Sequence, residues 1–273
     1  MTQQPASDAI YTPGSRGREV VAGSKVVVEF HTRGIQGEFE LAGTDSPSLA
    51  PAVAEAIEII RGTHPDVTFH LAADHPIDHL DPLAEAVADA ASLPHRRDLL
   101  QLRRTLPVES DHRARPAAPA IAVRPADFHG DGSPDVGAWL RVNNRAFSTH
   151  PDQGAETVET LLRRLDDDPG DPAGFLVADD ADRPGEFSGF CWTKVHAATS
   201  TDPALGEIHV IGVDPSHRGE GLGPSFVLAG LDHLAALGLE TANLYVDADN
   251  APARRLYELL DFTTYKRRRV YTS

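Results

Sequence analysis

The stretch Arg218-Gly219-Glu220-Gly221-Leu222-Gly223 constrains this chain most, because it lies between an alternating apolar run and a helical one. Its glycines let the backbone turn successive N–H groups towards one point, and a helix starting there adds a positive half-charge. The flanking pattern reads as a β-α-β-α-β string: strand Glu207–Val213, helix Pro224–Leu237 stopped by Gly238, strand Ala242–Val246, helix Ala251–Leu260 and strand Thr263–Val270. An anion is the expected ligand of such a loop. A dinucleotide fold needs Gly-x-Gly-x-x-Gly after its first strand and a P-loop needs Gly-Lys-Ser/Thr, and neither spacing is present.

Upstream of the string, Ile121–Arg124 reads as a strand, Asp135–Phe147 and Thr157–Leu165 as amphipathic helices, and Gly174–Ala178 with Gly189–Val195 as an antiparallel pair turning near 180–185. Residues 107–120 hold three prolines, alternating charge and little apolar periodicity, which suits a connector. The expected domains are therefore 1–106, a linker at 107–120, and 121–273. The first half repeats the order faintly, with strand Phe39–Ala42, helix Ala50–Arg61, strand Val67–Leu71, helix Asp81–Ala91 and strand Asp98–Arg103. Val53, Ile57 and Ile60 give the first of those helices one buried face. Where the second half has its glycine loop, the first has Gly43-Thr44-Asp45-Ser46-Pro47-Ser48, whose carboxylate and proline suit a turn better than an anion cradle. A shortened, degenerate and non-catalytic copy is expected.

Composition narrows the partners. The chain carries 25 Lys+Arg against 41 Asp+Glu, a net charge of −16, and no basic run, so it should repel nucleic acid. With one cysteine, no signal peptide in Met1–Ser15 and no apolar run of the roughly 18 residues that a span needs, a cytoplasmic protein without membrane contact is expected. It is expected to be a monomer. His31, His70, His75 and His79 lack metal-ligand spacing and read as surface or loop residues, so no metal is expected.

The order Arg-x-x-Gly-x-Gly, preceded by Val213-Asp214-Pro215 and followed by Asn250, Leu256-Tyr257-Glu258 and Phe262, resembles the acetyl-coenzyme A motif of the GNAT N-acetyltransferases. The resemblance implies an α/β fold with a mixed sheet (α+β), here as two GNAT-like domains, and acetyl-CoA as cosubstrate. It implies cofactor contacts from Ile211, Gly212 and Val213, from Arg218, Gly219, Glu220, Gly221, Leu222, Gly223 and Pro224, and from Tyr245, Asn250, Ala251, Pro252, Ala253, Arg254 and Arg255. On a chain at −16, a polyanion must be held by local means, the helix terminus and the Arg218 guanidinium.

Acetyl transfer from a thioester needs a neutral amine, donors for the oxyanion and a proton for the thiolate. Glu207 opens the central strand, and alternation places it on one face with His209, Ile211 and Val213, which makes it the candidate base. Its bland reading is a solvated strand-end charge. Tyr257 is the candidate acid, although it also completes a buried stripe with Ala253, Leu256 and Leu260. The backbone N–H groups of Ile211 to Val213 are the oxyanion donors that the resemblance implies.

Further stretches, Val142–Phe147 with His150–Gly154, Trp192-Thr193-Lys194-Val195-His196 and Leu244–Asn250, resemble the mycothiol synthase branch of that family. That likeness implies a small-molecule thiol glycoside as substrate, acetylated on its cysteinyl α-amine, with Asp152, Lys194 and Glu207 in contact with it. A cysteinyl α-amine titrates near 7.7 to 8.0, about two and a half units below lysine, so a modest base suffices. The alternatives are another α-amine, such as a peptide N-terminus, and a non-catalytic acetyl-CoA binder. Two residues depart from the pattern: Cys191, read as a small apolar strand residue, and Asp261, which must take a helix-end conformation that favours glycine.

Overall fold

The computed structural model describes residues 82–109, 119–128, 132–148, 154–167, 170–199 and 202–272, the backbone of 16–21, 24–31, 34–40 and 67–75, and residues 50, 51, 54 and 58. The chain packs as two units, one of residues 1–100, 247–249 and 264–273, the other of 101–246 and 250–263. The expected connector at 107–120 lies partly outside the described residues.

In the first unit, β1 (Arg16–Val21), β2 (Ser24–His31) and β3 (Gly34–Glu40) form an antiparallel meander. Strand β4 (Val67–His75) joins β3 in parallel, which requires a crossover. Helical residues 50, 51, 54 and 58 lie on that connection, with Ala50 and Ala54 buried and Pro51 and Glu58 exposed. Val53, Ile57 and Ile60, expected to be its buried face, lie outside the described residues. Helix α1 (Pro82–Ala90) buries Ala84, Val87 and Ala88, and β5 (His95–Thr105) begins in this unit. The last strand, β11 (Thr263–Thr272), pairs antiparallel with β4. There Arg269 bonds Asp98 at 3.1 Å and Glu85 at 2.8 Å. The backbone of His31, His70 and His75 belongs to β2 and β4, so these are strand rather than loop positions, while His79 lies outside the described residues. Strands β1 and β2 were not expected from the sequence, because Lys25, Glu29 and the flanking arginines mask the β-branched run Val26–Val28.

The second unit is built as the sequence predicts to within one or two residues at each element end, apart from β6 (Arg124–Pro125). Only Arg124 and Pro125 pair there, with Val177 and Leu176, and Pro125 has no N–H to extend the ladder. Helices α2 (Pro134–Ala146) and α3 (Val158–Asp167) precede β7 (Phe175–Asp179), β8 (Phe187–His196) and β9 (Leu205–Val213). Helix α4 (Leu222–Ala236), β10 (Thr241–Asp247) and α5 (Ala251–Leu259) follow. Side by side the strands run β10-β9-β8-β7-β6.

One face of this sheet packs Phe175, Val177, Phe190, Trp192 and Val210 against Val136, Trp139 and Val142 of α2 and Leu161 of α3. The other face lies under α4, so closely that a Cβ on Gly230 would stand 2.6 Å from the Cys191 sulfur and 2.7 Å from Ile208. Small residues on both sides are what permit that approach, and Cys191 is the buried strand residue expected of it, its thiol pushed up to about 12 by burial. Asp261 takes a φ of 59°, the left-handed helix-end geometry its position demands, with its N–H donating to Glu258 at 3.1 Å.

Candidate active site

Strands β9 and β10 are parallel neighbours, yet only two residue pairs join them, Gly206 with Ala242 and Glu207 with Asn243. Beyond these the strands part into a wedge, while the other edge of β9 stays paired to β8 as far as Val213. The Asp214 N–H donates to Ser188 on the β8 side at 2.9 Å. Because N–H direction alternates along a strand, the N–H groups of Ile211 and Val213 point the other way, into the wedge. Between them, a Cβ on Gly212 would meet the Phe190 ring at 2.5 Å, so only glycine lets the strand lie this close to the core.

The register also corrects the sequence reading of β9. Glu207 pairs with Lys194 and Ile208 with Thr193, but Trp192 pairs with Val210, so His209 is the extra residue of a β-bulge. A one-residue insertion swaps the faces of everything after it. Glu207, His209 and Val210 face the α2 side, with His209 edge-on to Trp192 at 5.1 Å. Ile211 pairs with Cys191 under α4, and Val213 follows it by alternation. The expected common face of Glu207, His209, Ile211 and Val213 thus holds for the first two only.

At the mouth of the wedge, Gly219 and Gly221 take φ of 88° and 77°, and α4 starts at Gly221 with no side chain capping its first N–H groups. That leaves an uncompensated helix terminus beside the exposed Arg218. Two buried carboxylates brace the loop from below. Asp214 accepts from the Ser216 N–H at 2.9 Å and from Arg145 at 2.8 Å. Asp180, in the β7–β8 turn, accepts from Arg183 at 2.7 Å and stands 2.9 Å from Nε2 of His217, whose Nδ1 is 2.9 Å from Glu220. An imidazole with a carboxylate at each nitrogen satisfies both only as imidazolium, and Asp180 and then Glu220 raise its pKa accordingly. Burial alone would raise Asp180, but His217 and Arg183 pull it down to about 2. Helix α5, capped by Asn250 accepting from the Ala253 N–H at 3.2 Å, brings Leu256 within 3.4 Å of a Cβ placed on Gly223. The body of α5 therefore packs against the first turn of α4.

Glu207 is buried, with Lys194 directly across the ladder and the Lys194 ammonium 5.3 Å from the Trp192 ring centroid. The sequence's candidate base and one of its candidate substrate contacts are thus neighbours, while Asp152 lies outside the described residues. Oε2 of Glu207 meets Nε2 of His196, and Oε1 stands 3.1 Å from Nδ1 of His209. Burial pushes the Glu207 carboxyl up, but the two imidazoles outweigh it and hold it at about 2. Tyr257 is buried in α5 against Phe262 at 5.7 Å, and burial raises its phenol, which keeps it protonated. The sequence reading missed His196 and His209 as partners of Glu207, and the Asp180–His217 brace. His209 was within reach through its i+2 spacing; the others depend on strand pairings that local patterns do not specify. Among the described residues, no group of three His, Cys, Asp or Glu is placed to hold a metal, and no helix is long and apolar enough to cross a membrane.

Residues 138–262 match the Acetyltransferase (GNAT) family. The chain is 41% identical over 250 residues to a mycothiol acetyltransferase of Acidimicrobium ferrooxidans, covering 89% of this chain and 76% of that one. It is 43% identical over 182 residues to a mycothiol acetyltransferase of Kocuria rhizophila, a match covering 66% of this chain and 59% of the relative. Among solved structures, a tandem GNAT protein from the clavulanic acid biosynthesis pathway superposes with a TM-score of 0.63 at 17% identity, over 92% of this chain and 78% of that one, a likeness of fold.

Proposed function

This chain belongs to the mycothiol acetyltransferase family of GNAT enzymes, and we propose that it transfers the acetyl group of acetyl-CoA to the cysteinyl α-amine of desacetylmycothiol, a thiol glycoside. The observation that carries the proposal is the wedge between β9 and β10, with a glycine loop and an uncapped helix start at its mouth. The open edge of β9 suits the amide-bearing arm of acetyl-CoA, and the loop 218–223 with Arg218 suits its pyrophosphate. Ile211, Gly212 and Val213 are then the backbone contacts, and Tyr245 with Asn250, Ala251, Pro252, Ala253, Arg254 and Arg255 close the other side.

In this reading the neutral amine attacks the thioester carbon, and N–H groups of Ile211 to Val213 stabilise the oxyanion. Carbon–sulfur cleavage follows, with the Tyr257 hydroxyl donating a hydrogen bond to the departing sulfur. Glu207 serves the amine side, and Lys194, which pairs with it across the ladder, and Asp152 are the residues assigned here to the glycoside. The first unit, which carries a parallel β3–β4 crossover, reads as a degenerate copy of the fold without its own acetyl site; Gly43–Ser48 lie outside the described residues. The test is incubation with acetyl-CoA and desacetylmycothiol, following N-acetyl product by mass spectrometry. Product is expected, and acetylated peptides with no glycoside product would replace this reading with the peptide alternative.

A further inference from the structure

We propose that His209 takes the proton from the attacking amine through its Nε2, and that Glu207 is a positioning residue which orients His209. The inference rests on the acetyl-transfer reading above and extends it to a residue that reading leaves without a role.

Geometry is the ground for it. Both oxygens of Glu207 already face imidazole nitrogens, Oε2 to His196 and Oε1 to His209 Nδ1 at 3.1 Å. A carboxylate engaged at both oxygens accepts an N–H from each ring, so in neutral His209 the proton sits on Nδ1 and the lone pair on Nε2. Among the described residues, His209 has no other partner than Glu207 and the edge contact with Trp192, and its side chain keeps 27% exposure, enough for a substrate to reach. The β-bulge puts it there. As the inserted residue it lies on the Glu207 face just past the point where β9 and β10 part, and next along the strand comes the edge whose N–H groups enter the wedge.

The chemistry agrees. A neutral imidazole with a bare nitrogen is a stronger proton acceptor than a carboxylate already engaged at both oxygens. The charged groups around His209 are Glu207 on its own strand, Lys194 and His196 on β8, and Arg164 of α3 across the Trp192 ring. As the carbon–nitrogen bond forms, the amine proton moves to Nε2. As the carbon–sulfur bond breaks, its electron pair goes to sulfur, and the proton on the imidazolium passes through water to the thiolate, so that the products are an amide, a free thiol and neutral His209.

The experiment is the pH profile of kcat with acetyl-CoA and desacetylmycothiol for the wild type, His209→Gln and Glu207→Gln. His209→Gln should lower kcat at neutral pH by about 100-fold. It should leave acetyl-CoA affinity by calorimetry within about twofold, remove the imidazole limb of the profile, and recover activity with added imidazole. If His209→Gln keeps the wild-type profile while Glu207→Gln loses it, His209 is not the acceptor. Should the variant not fold, nitrogen-15 NMR of histidine-labelled wild type decides: Nδ1–H with a bare Nε2 at neutral pH supports the proposal, and an imidazolium persisting to pH 8 overturns it. A wild type that makes no glycoside product would instead sink the substrate assignment, a separate outcome.

Discussion

Single residues in the site are set by what lies behind them. Gly212 is the clearest case, because its missing Cβ is replaced by the ring of the fully buried Phe190 at 2.5 Å. Gly212→Ala should destabilise the protein by about 1–3 kcal/mol in urea unfolding, since the ring has no space to retreat into. It should also lower kcat more than KM for acetyl-CoA rises, because the strand that aims the Ile211 and Val213 N–H groups would be displaced. Glycine at position 212 is legible in the sequence as part of the motif, but its cause is not, since Phe190 lies 22 residues away on another strand. The same holds for Glu207. Its place at the start of a strand follows from the local pattern, while its two imidazole partners depend on a bulge and on the β8–β9 register.

At the level of elements, what is local was readable and what is paired was not. Helix α4, its glycine loop and the stop at Gly238 follow from spacing, and Gly238 indeed takes a φ of 81°. The bulge, which moves Ile211 and Val213 off the expected face, is a property of two strands together and leaves no mark in either alone. The brace of the loop by the β7–β8 turn is likewise a contact between elements, Asp180 with His217. Its pH dependence follows from the two shifts. His217 is raised above its ordinary 6.5, so its stabilisation is complete below that pH and is lost as pH climbs through the raised value. Asp180 is lowered to about 2, so its share is present above the ordinary carboxylate range and is lost as pH falls through 2. His217→Gln should therefore cost about 1–3 kcal/mol, read as a drop in Tm that is largest between roughly pH 4.5 and 6.5 and shrinks by pH 9. KM for acetyl-CoA should rise several-fold in step. A Tm difference that grows with pH would contradict the imidazolium assignment.

Over the whole molecule, the charge of −16 opposes every approaching polyanion, so the local cations at the wedge mouth have to overcome a field of the wrong sign. Arg218→Ala should raise KM for acetyl-CoA about tenfold or more, the worth of a charge-assisted contact. Salt then separates the two fields. With Arg218 gone, going from about 0.05 to 0.5 M salt should lower KM, because screening relieves the remaining repulsion, whereas the wild type should change less. A variant KM that rises with salt would mean that other cations dominate. In the proposed reading, acetyl-CoA completes the sheet where the two-rung ladder between β9 and β10 ends. The amides of Ile211 and Val213 should then exchange with deuterium quickly in the free protein and slowly in the bound one. Ligand at 100 times its Kd should add about 2.7 kcal/mol of stability. Resistance of the enzyme to unfolding and proteolysis would therefore track the supply of its own cosubstrate.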